Sequence, residues 1–423
     1  MKLKITAIVF LLCALTFTAC NDGGSGNSED IAARTAEMSA AEGSLNEQGA
    51  LDERAEDNDE DNEPKPFNDI TAAELVAAVR IGWNLGNTLD AYGGNPEDSV
   101  SVLERLWVNR VTTKENIDAL KAAGFNAIRI PVTWFKVCDD DYNIRADWME
   151  RVREVVGYAV DNDMYIILNT HHEEAIFKFT DADMAETQRA FTKVWGQIAD
   201  TFKNYDEKLV FESLNEPRTV GSLMEWEGGT PEEHNNINAL NQLFVDLVRA
   251  SGGNNDKRVL LIPTYAASAS ETAQSALVMP SDSAKDKIAV SIHMYSPYGF
   301  ALANGDEAVS EWYKNNPEDT SPITEPIDLA ESLFISNGIP VILGEFGAMN
   351  RGNTDYRAEW AEFYVSYAKL KGIACFWWDN AQSGLPVQND WGWSETFGIL
   401  DRLTNVFTTP EVVEALMKGS FDN

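Results

Sequence analysis

The sequence predicts an α/β protein with a single closed (β/α)8 TIM barrel between residues 70 and 423. Short apolar segments alternate with amphipathic segments along this stretch, and the apolar segments are nearly free of polar residues. Alternating strands and helices are typical of parallel sheets, and strands covered by helices on both faces need almost continuous apolar sequence. An open doubly wound sheet is the alternative, but the glycine-rich dinucleotide-binding turn of that fold is missing.

Eight segments have the length and composition of buried strands. They are residues 80–85, 126–131, 164–169, 209–215, 258–263, 288–294, 340–345 and 373–379. Between them, apolar residues recur at spacings of three and four, which predicts amphipathic helices. The clearest helical patterns cover residues 114–123, 148–161, 185–204, 231–250 and 356–370.

Two of the predicted strands deliver a glutamate to their C-terminal ends. Residues 211–218 (FESLNEPR) present Glu216, and residues 341–348 (VILGEFGA) present Glu345. In (β/α)8 barrels the C-terminal ends of the strands carry the chemistry. One acid at a strand end is often only a solvated surface group. Two of them together indicate glycoside hydrolysis by a pair of carboxyl groups.

Further polar and aromatic side chains accompany the same strand ends. They are Asn87, Arg129, His171, His172, Asn215, His293, Tyr295 and Trp378. Each one alone is as easily explained by a structural role, because a strand-end histidine is more often a core residue than a catalyst. Idle polar groups should be scattered over both ends of a barrel, so their common position favours a single binding cleft.

The charge of the chain limits its partners. A formal net charge of −35 and a pI near 4.3 argue against nucleic acids and anionic membrane surfaces, which repel an acidic protein. A neutral polymer is not repelled, and the 12 tryptophans and 12 tyrosines suit stacking on sugar rings. We expect no nucleic-acid partner, no cofactor, no metal ion and a monomeric chain.

The first twenty residues have the pattern of an export signal. Lys2 and Lys4 precede an apolar run over residues 5–17, and a small residue stands before Cys20. The run is too short for a permanent membrane anchor. The pattern resembles a bacterial lipoprotein signal, which implies cleavage after residue 19 and lipidation of Cys20. Phe17 stands where that motif usually has leucine, so plain secretion is the alternative. Both predict an extracytoplasmic protein.

Residues 20–69 are predicted to form a disordered acidic linker. From residue 21 to 69 there are 15 acidic and three basic residues, and aromatic residues are absent before Phe67. Such a segment buries too little apolar area to offset its ordering entropy. Its acidic runs lack the spacing of an EF-hand calcium loop. Cys138 and Cys375 fall near different strands, so we expect no disulfide between them.

Several longer motifs carry a family resemblance. They are GWNLGNTLDAYG (82–93), GFNAIRIPVTW (124–134), LNTHHE (168–173), FESLNEPR (211–218), IHMYSPYGFA (292–301), ILGEFGA (342–348) and FWWDN (376–380). In this order the chain resembles glycoside hydrolase family 5, near its bacterial endoglucanase branch. The resemblance covers residues 80–402. It implies a retaining endo-acting enzyme that cleaves β-1,4-glucan, either cellulose or soluble β-glucan.

The resemblance also implies roles for the site residues. Glu216 would be the general acid/base and Glu345 the nucleophile, with their carboxyl groups about 5 to 5.5 Å apart. Arg129 and Tyr295 would keep Glu345 ionised, while its negative charge would keep Glu216 protonated. Asn215 would bind the sugar 2-hydroxyl. The remaining residues would line the same subsite, with Trp378 as a stacking floor: Asn87, His171, His172 and His293.

The sequence leaves alternatives open. The same barrel can act on xyloglucan, mixed-linkage glucan or mannan, because loop shape selects among these polymers. A zinc hydrolase centred on residues 171–174 (HHEE) is disfavoured, since adjacent histidines on a strand point to opposite faces and HExxH spacing is missing. A lipoprotein that binds glycans without cutting them is the third reading. The roles of four tryptophans stay undecided: Trp134, Trp226, Trp391 and Trp393.

Overall fold

The structure, a computed structural model, describes residues 66–389 and 392–421. The predicted signal peptide, the linker up to residue 65 and Trp391 lie outside the described residues. No helix within the described ranges has the length and apolar character needed to cross a bilayer.

Eight parallel strands close into a barrel, which confirms the predicted fold. Each strand pairs with its neighbour in chain order, and the eighth pairs with the first. They are β1 (Gly82–Leu85), β2 (Ala127–Ile130), β3 (Tyr165–Asn169), β4 (Leu209–Glu212), β5 (Leu260–Ser268), β6 (Ile288–His293), β7 (Val341–Phe346) and β8 (Ala374–Asp379). Four two-residue strands follow: β9 (Gln388–Asn389), β10 (Gly392–Trp393), β11 (Leu400–Asp401) and β12 (Val406–Phe407).

Helices surround the barrel, and five of them match the predicted segments 114–123, 148–161, 185–204, 231–250 and 356–370. The helices are α1 (Ala72–Ala78), α2 (Val100–Glu104), α3 (Lys114–Ala123), α4 (Ala146–Asp161), α5 (Met184–Phe202), α6 (Pro231–Ala250), α7 (Glu271–Ala276), α8 (Tyr298–Ala301), α9 (Pro317–Leu333), α10 (Thr354–Leu370) and α11 (Pro410–Ser420). The start of α6 shows how local sequence sets a boundary: Thr230 and Glu233 form a capping box around Pro231.

Two predicted strands have different lengths in the structure. The fourth ends at Glu212 and not at residue 215, so the segment that holds Glu216 is an irregular loop. The fifth continues to Ser268 through a register shift after Pro263, where Ala266 adopts a positive φ of 51°. Both changes lie at the C-terminal end of the barrel. Irregular backbone there aims side chains into the opening above the strands.

Helix α1 covers the other end of the barrel. Its apolar residues Leu75 and Val76 belong to one buried cluster with Val210, Leu261 and Ile342 of the strands. The barrel is therefore closed by an apolar helix at its N-terminal end. Polar side chains lie at its C-terminal end, where the active sites of such barrels are found.

The last residues of the predicted linker are attached to the barrel. Asn68 hydrogen-bonds Glu207 through its backbone amide (3.0 Å) and its side chain (2.6 Å). Asp69 forms ion pairs with Lys287 (2.6 Å) and Lys257 (2.9 Å). These partners come just before strands β4, β6 and β5, so Asn68 and Asp69 lie at the end of the barrel opposite the cleft.

Candidate active site

Glu216 and Glu345 face each other across the C-terminal opening of the barrel. One oxygen of each carboxylate and one ring nitrogen of His293 all lie within 4.8 Å of one another. Retaining glycosidases need their two carboxyl groups about 5 to 5.5 Å apart, whereas inverting enzymes need about 6.5 to 9.5 Å to admit a water molecule. The separation observed here fits direct attack by one carboxylate.

Glu345 lies near the end of β7 and is held by two donors. Arg129 Nη1 donates to Oε1 at 2.7 Å, and the Tyr295 hydroxyl donates to Oε2 at 2.8 Å. Its side chain is only 6% exposed. A buried carboxylate with a cation on one oxygen and a hydroxyl on the other is fixed in orientation and stabilised as an anion.

The Arg129 guanidinium organises the floor of the site. Its Nε donates to Glu212 at 2.7 Å, Nη1 donates to Asn84 at 3.0 Å, and Nη2 donates to the Asn215 side-chain oxygen at 2.7 Å. Because the Asn215 oxygen is occupied by this bond, its amide N–H groups are the donors available to a substrate hydroxyl. This geometry agrees with the sugar-binding role that the resemblance implies.

Glu216 has a different environment from Glu345. Its Oε1 lies 3.0 Å from His293 Nδ1, and its Oε2 accepts a long hydrogen bond of 3.4 Å from Arg218 Nη1. Burial raises the pKa of Glu216, but the hydrogen bond with His293 and the charge of Arg218 outweigh it and lower the pKa to about 2. The nearby cations therefore have a larger effect on this carboxyl than the negative charge of Glu345, and the protonation of Glu216 by that charge stays a prediction.

His171 and Trp378 form a stacked pair beside the glutamates. Their rings lie 5.9 Å apart with an angle of 2° between their planes. Burial and the surrounding positive charges lower the pKa of His171 well below its usual value. A neutral His171 can therefore accept or donate a hydrogen bond at neutral pH. Trp378 is 8% exposed, so little of its ring is open as a sugar-stacking surface.

His172 points toward the rim of the cleft. Its Nδ1 lies 3.5 Å from Glu174, and its ring contacts Tyr92 and Trp107 with centroid distances of 5.3 and 5.4 Å. Burial lowers the pKa of His172, but Glu174 raises it more, so the net shift is upward. His172 thus joins an aromatic wall that the sequence did not predict.

Asn87 is the predicted site residue with the least direct connection to the glutamates. It has a left-handed backbone with a φ of 62°, and its backbone N–H donates to the Asp90 carboxylate at 2.9 Å. Within residues 66–389 and 392–421, its side chain hydrogen-bonds neither Glu216 nor Glu345. Its visible contribution is the turn after β1.

Comparison with known proteins gives the family. The profile of the Cellulase family (glycosyl hydrolase family 5) matches residues 89–384. The chain belongs to glycosyl hydrolase family 5. Endoglucanase B of Clostridium cellulovorans is 40% identical to this family 5 hydrolase over 357 residues, which cover 83% of this chain and 76% of that protein.

Two solved family 5 structures are similar along most of their length. A GH5-4 broad specificity endoglucanase from Ruminococcus champanellensis with bound cellotriose has a TM-score of 0.79 and 42% identity, covering 84% of this chain and 100% of that one. A xyloglucan-specific endo-β-1,4-glucanase from a metagenomic library, in complex with cellotriose, has a TM-score of 0.75 and 41% identity, covering 81% and 97%.

Three charged residues of this family 5 hydrolase were missed from the sequence. Glu212 is buried against Arg129, and a charge inside an apolar strand could have revealed it. Arg218 contacts Glu216 and belongs to the same FESLNEPR motif. Glu395 gave no sequence signal. The residue is exposed to solvent, but partial desolvation and the charges of Glu216 and Glu345 raise its pKa to about 7.

The structure places three of the undecided tryptophans. Trp134 is fully buried, and its indole N–H donates to Asn169 O at 2.9 Å, which indicates a structural role. The Arg218 guanidinium lies over the Trp226 ring, with 4.6 Å between its Cζ atom and the ring centroid. Trp393 stands on β10 and is 42% exposed.

The two adjacent histidines do not behave as the metal argument assumed. Strand β3 ends at Asn169, so His171 and His172 lie on irregular backbone and their rings meet at 4.5 Å. Together with Asp90 they offer ligand atoms within 4.8 Å of one another. His172 Nδ1 already lies 3.5 Å from Glu174, and Asp90 accepts two backbone N–H bonds. These contacts are sufficient to explain the cluster. Cys138 and Cys375 are free thiols.

Proposed function

We propose that this protein is a retaining, endo-acting glycoside hydrolase that cleaves β-1,4-glucan by double displacement. The observation that carries the proposal is the approach of Glu216 and Glu345 to within 4.8 Å, with different partners on each. A pair at this distance leaves no room for a water molecule behind the sugar, so it favours a covalent intermediate. The family of the chain supports the same reaction.

In the first step, a Glu345 oxygen bonds to the anomeric carbon while the bond from that carbon to the glycosidic oxygen breaks. Glu216 gives its proton to the departing oxygen. In the second step, Glu216 takes a proton from water, the water oxygen bonds to the anomeric carbon, and Glu345 leaves as a carboxylate. Arg129 and Tyr295 stabilise Glu345 whenever it carries charge, which assists its departure.

Because its pKa is low, Glu216 must gain a proton before it can act as the general acid. The Glu216 carboxylate lies 3.0 Å from His293 Nδ1, and its lowered pKa favours the ionised form. A bound glucan removes water from the carboxyl group, and desolvation favours its neutral form. Substrate binding is then the event that moves the proton onto Glu216.

Two amide variants test the assigned roles. Glu345→Gln should abolish hydrolysis of both carboxymethylcellulose and 2,4-dinitrophenyl cellobioside, because no nucleophile remains. Glu216→Gln should abolish polymer hydrolysis yet still form the glycosyl-enzyme from the dinitrophenyl substrate, whose leaving group needs no acid. NMR of the first-formed sugar should show the β-anomer. Near-normal polymer turnover in either variant, or an α-anomer product, would reject the mechanism.

The substrate range is proposed to extend to other β-glucans. The similar structures are described as a broad specificity endoglucanase and a xyloglucan-specific endo-β-1,4-glucanase. A reducing-sugar assay should rank carboxymethylcellulose, barley glucan, xyloglucan and glucomannan, with a falling viscosity as the sign of internal cleavage. Binding to these polymers without released sugar would instead support the non-catalytic lipoprotein.

The protein is further proposed to be a monomeric lipoprotein of the cell envelope, anchored through Cys20. Support comes from the signal pattern and from the attachment of Asn68 and Asp69 to the barrel end opposite the cleft. A tether that joins there leaves the cleft accessible to a large polymer. Radiolabelled palmitate should label the wild type and not Cys20→Ala, which should appear in the soluble fraction. Light scattering of the processed protein tests the monomer.

A further inference from the structure

Arg218 contacts Glu216 through one nitrogen of its guanidinium. The two residues are separated only by Pro217 in the chain. Arg218 Nη1 donates to the Glu216 backbone oxygen at 2.9 Å and lies 3.4 Å from the carboxylate oxygen Oε2. The arginine side chain is 13% exposed. A nearly buried guanidinium that touches both the backbone and the carboxylate of one residue restricts the rotation of that carboxylate.

Residues 219–229, which we call the β4 loop, hold Arg218 in this position. Glu225 Oε1 accepts from Arg218 Nε at 3.0 Å, and the other Glu225 oxygen accepts from the Gly221 backbone amide at 2.7 Å. The Trp226 ring lies 4.6 Å from the guanidinium carbon. The arginine is therefore fixed through an ion pair on its edge and an aromatic ring on its face.

We propose that Arg218 is a positioning residue for the general acid/base Glu216, and that Glu225 and Trp226 of the β4 loop hold it in place. The proposal rests on the proposed function, because it assigns Arg218 to the residue that protonates the leaving group. Arg218 does not touch the reacting atoms. It acts by orienting the Glu216 carboxyl and by setting the charge that this carboxyl experiences.

Several other charged or titratable groups face the same carboxyl. Those around Glu216 are His293, His172, Glu345, Tyr295 and Glu395. Those around Arg218 are Glu174, at 4.0 Å, and Glu225, with Tyr92 and Tyr265 farther away. Among these groups Arg218 carries a guanidinium, which stays charged at every working pH. Its charge lowers the pKa of Glu216.

Removing that charge gives a signed prediction. In Arg218→Met, the pKa of Glu216 rises, so the carboxyl stays protonated to higher pH. The alkaline limb of the kcat profile, which reports loss of the acid proton in the enzyme–substrate complex, should move to higher pH. At the pH optimum, kcat/KM for cellohexaose should fall about 10-fold or more, a part of the ~10²- to 10⁴-fold that a positioned acid supplies. The value for 2,4-dinitrophenyl cellobioside should change less than threefold, because that substrate needs little protonation.

Companion variants separate positioning from packing. Arg218→Lys keeps the positive charge but loses the planar guanidinium with its several N–H donors. Its pH profile should therefore stay near that of the wild type, while the rate on cellohexaose still falls. Glu225→Gln keeps Arg218 but weakens its anchor, and it serves if Arg218→Met fails to fold. Arg249→Met is the matched control, since Arg249 forms a similarly buried pair with Asp282 at 2.8 Å near the other end of the barrel. It should lower the melting temperature without moving the pH profile.

Two outcomes would overturn the proposal. One is an unchanged alkaline limb in both Arg218→Met and Glu225→Gln. The other is an equal loss of rate on cellohexaose and on the dinitrophenyl substrate, which indicates a general structural defect. Both differ from failure of the proposed function, in which Glu216→Gln or Glu345→Gln would keep polymer turnover.

Discussion

Arg129 and Glu212 form an ion pair at the centre of the barrel, with 2.7 Å between Nε and Oε2 and no exposed side-chain surface on either residue. Glu212 also accepts hydrogen bonds from Ser291 (2.6 Å) and Asn169 (3.0 Å). A buried charge pair is tolerated only when its remaining hydrogen-bonding capacity is satisfied. This pair meets that condition, and it leaves the rest of the Arg129 guanidinium free to orient Glu345 and Asn215.

Glu212→Gln should therefore destabilise the fold. It removes one charge from a buried network, for which a loss of about 3 to 5 kcal/mol in the free energy of unfolding is typical. Urea unfolding followed by tryptophan fluorescence measures it. The control is Asp118→Asn, which breaks the exposed pair with Lys114 and should cost about 0.5 kcal/mol or less. Equal losses in the two variants would show that the buried pair contributes nothing special.

The same pair shows how far the sequence could lead. Strand and helix positions follow from local periodicity, and motif glutamates at strand ends could be placed at the cleft by topology alone. Arg129 and Glu212 are 83 residues apart, and their contact depends on which side chains point into the barrel. The pKa of Glu216 could not be predicted because burial raises it while His293 and Arg218 lower it, and these contacts form only in the folded chain.

Local backbone irregularity caused the other differences. Strand β3 ends at Asn169, as predicted, but the prediction against a zinc site treats His171 and His172 as strand residues that point to opposite faces, whereas their rings meet in the structure. The extension of β5 through a register shift after Pro263 likewise depends on long-range packing. Such features occur at the functional end of a barrel and have weak local sequence signals.

Tyr295→Phe should lower kcat while leaving the fold intact. The hydroxyl donates to Glu345 at 2.8 Å, and a hydrogen bond to a charged group contributes about 1.5 to 3 kcal/mol. If that energy is expressed in the transition state, kcat falls roughly 10- to 150-fold. Steady-state kinetics on cellohexaose measures it.

Tyr364→Phe is the control for the tyrosine experiment. Its hydroxyl is also buried and donates to the Met294 backbone oxygen at 2.8 Å, whereas that of Tyr295 donates to the Glu345 carboxylate. Tyr364→Phe should lower the melting temperature with little effect on kcat. A kcat for Tyr295→Phe within twofold of the wild type would contradict the assigned stabilisation of Glu345.

Glu395→Gln should change how stability depends on pH. Desolvation and the charges of Glu216 and Glu345 raise the pKa of Glu395 from 4.5 to about 7 in the folded protein. The folded state therefore binds this proton more tightly than the unfolded state, and the wild type loses stability as the pH rises from 4.5 to 7. Glu395→Gln lacks this loss.

The measurement is the melting temperature of both proteins across that pH range. Their difference should be smallest near pH 4, grow in favour of Glu395→Gln up to pH 7, and stay constant above it. A difference that is the same at pH 4 and pH 8 would mean that Glu395 titrates normally. Because this side chain keeps solvent contact, the sign and the pH window are the quantities under test.

Gly86→Ala should disturb the site through Trp378. A Cβ at Gly86 would lie 2.7 Å from the Trp378 ring and 2.8 Å from the Asp379 backbone oxygen, closer than real Cβ atoms approach. The indole must move, and it carries the stacked His171 with it. Since a displacement of about 1 Å can cost on the order of 10²-fold in rate, kcat/KM should fall about 10- to 100-fold.

Gly196→Ala is the control, because its Cβ meets nothing within 4 Å and alanine favours the helix by about 1 kcal/mol. If Gly86→Ala kept full kcat/KM on cellohexaose, the position of Trp378 would not matter to the reaction.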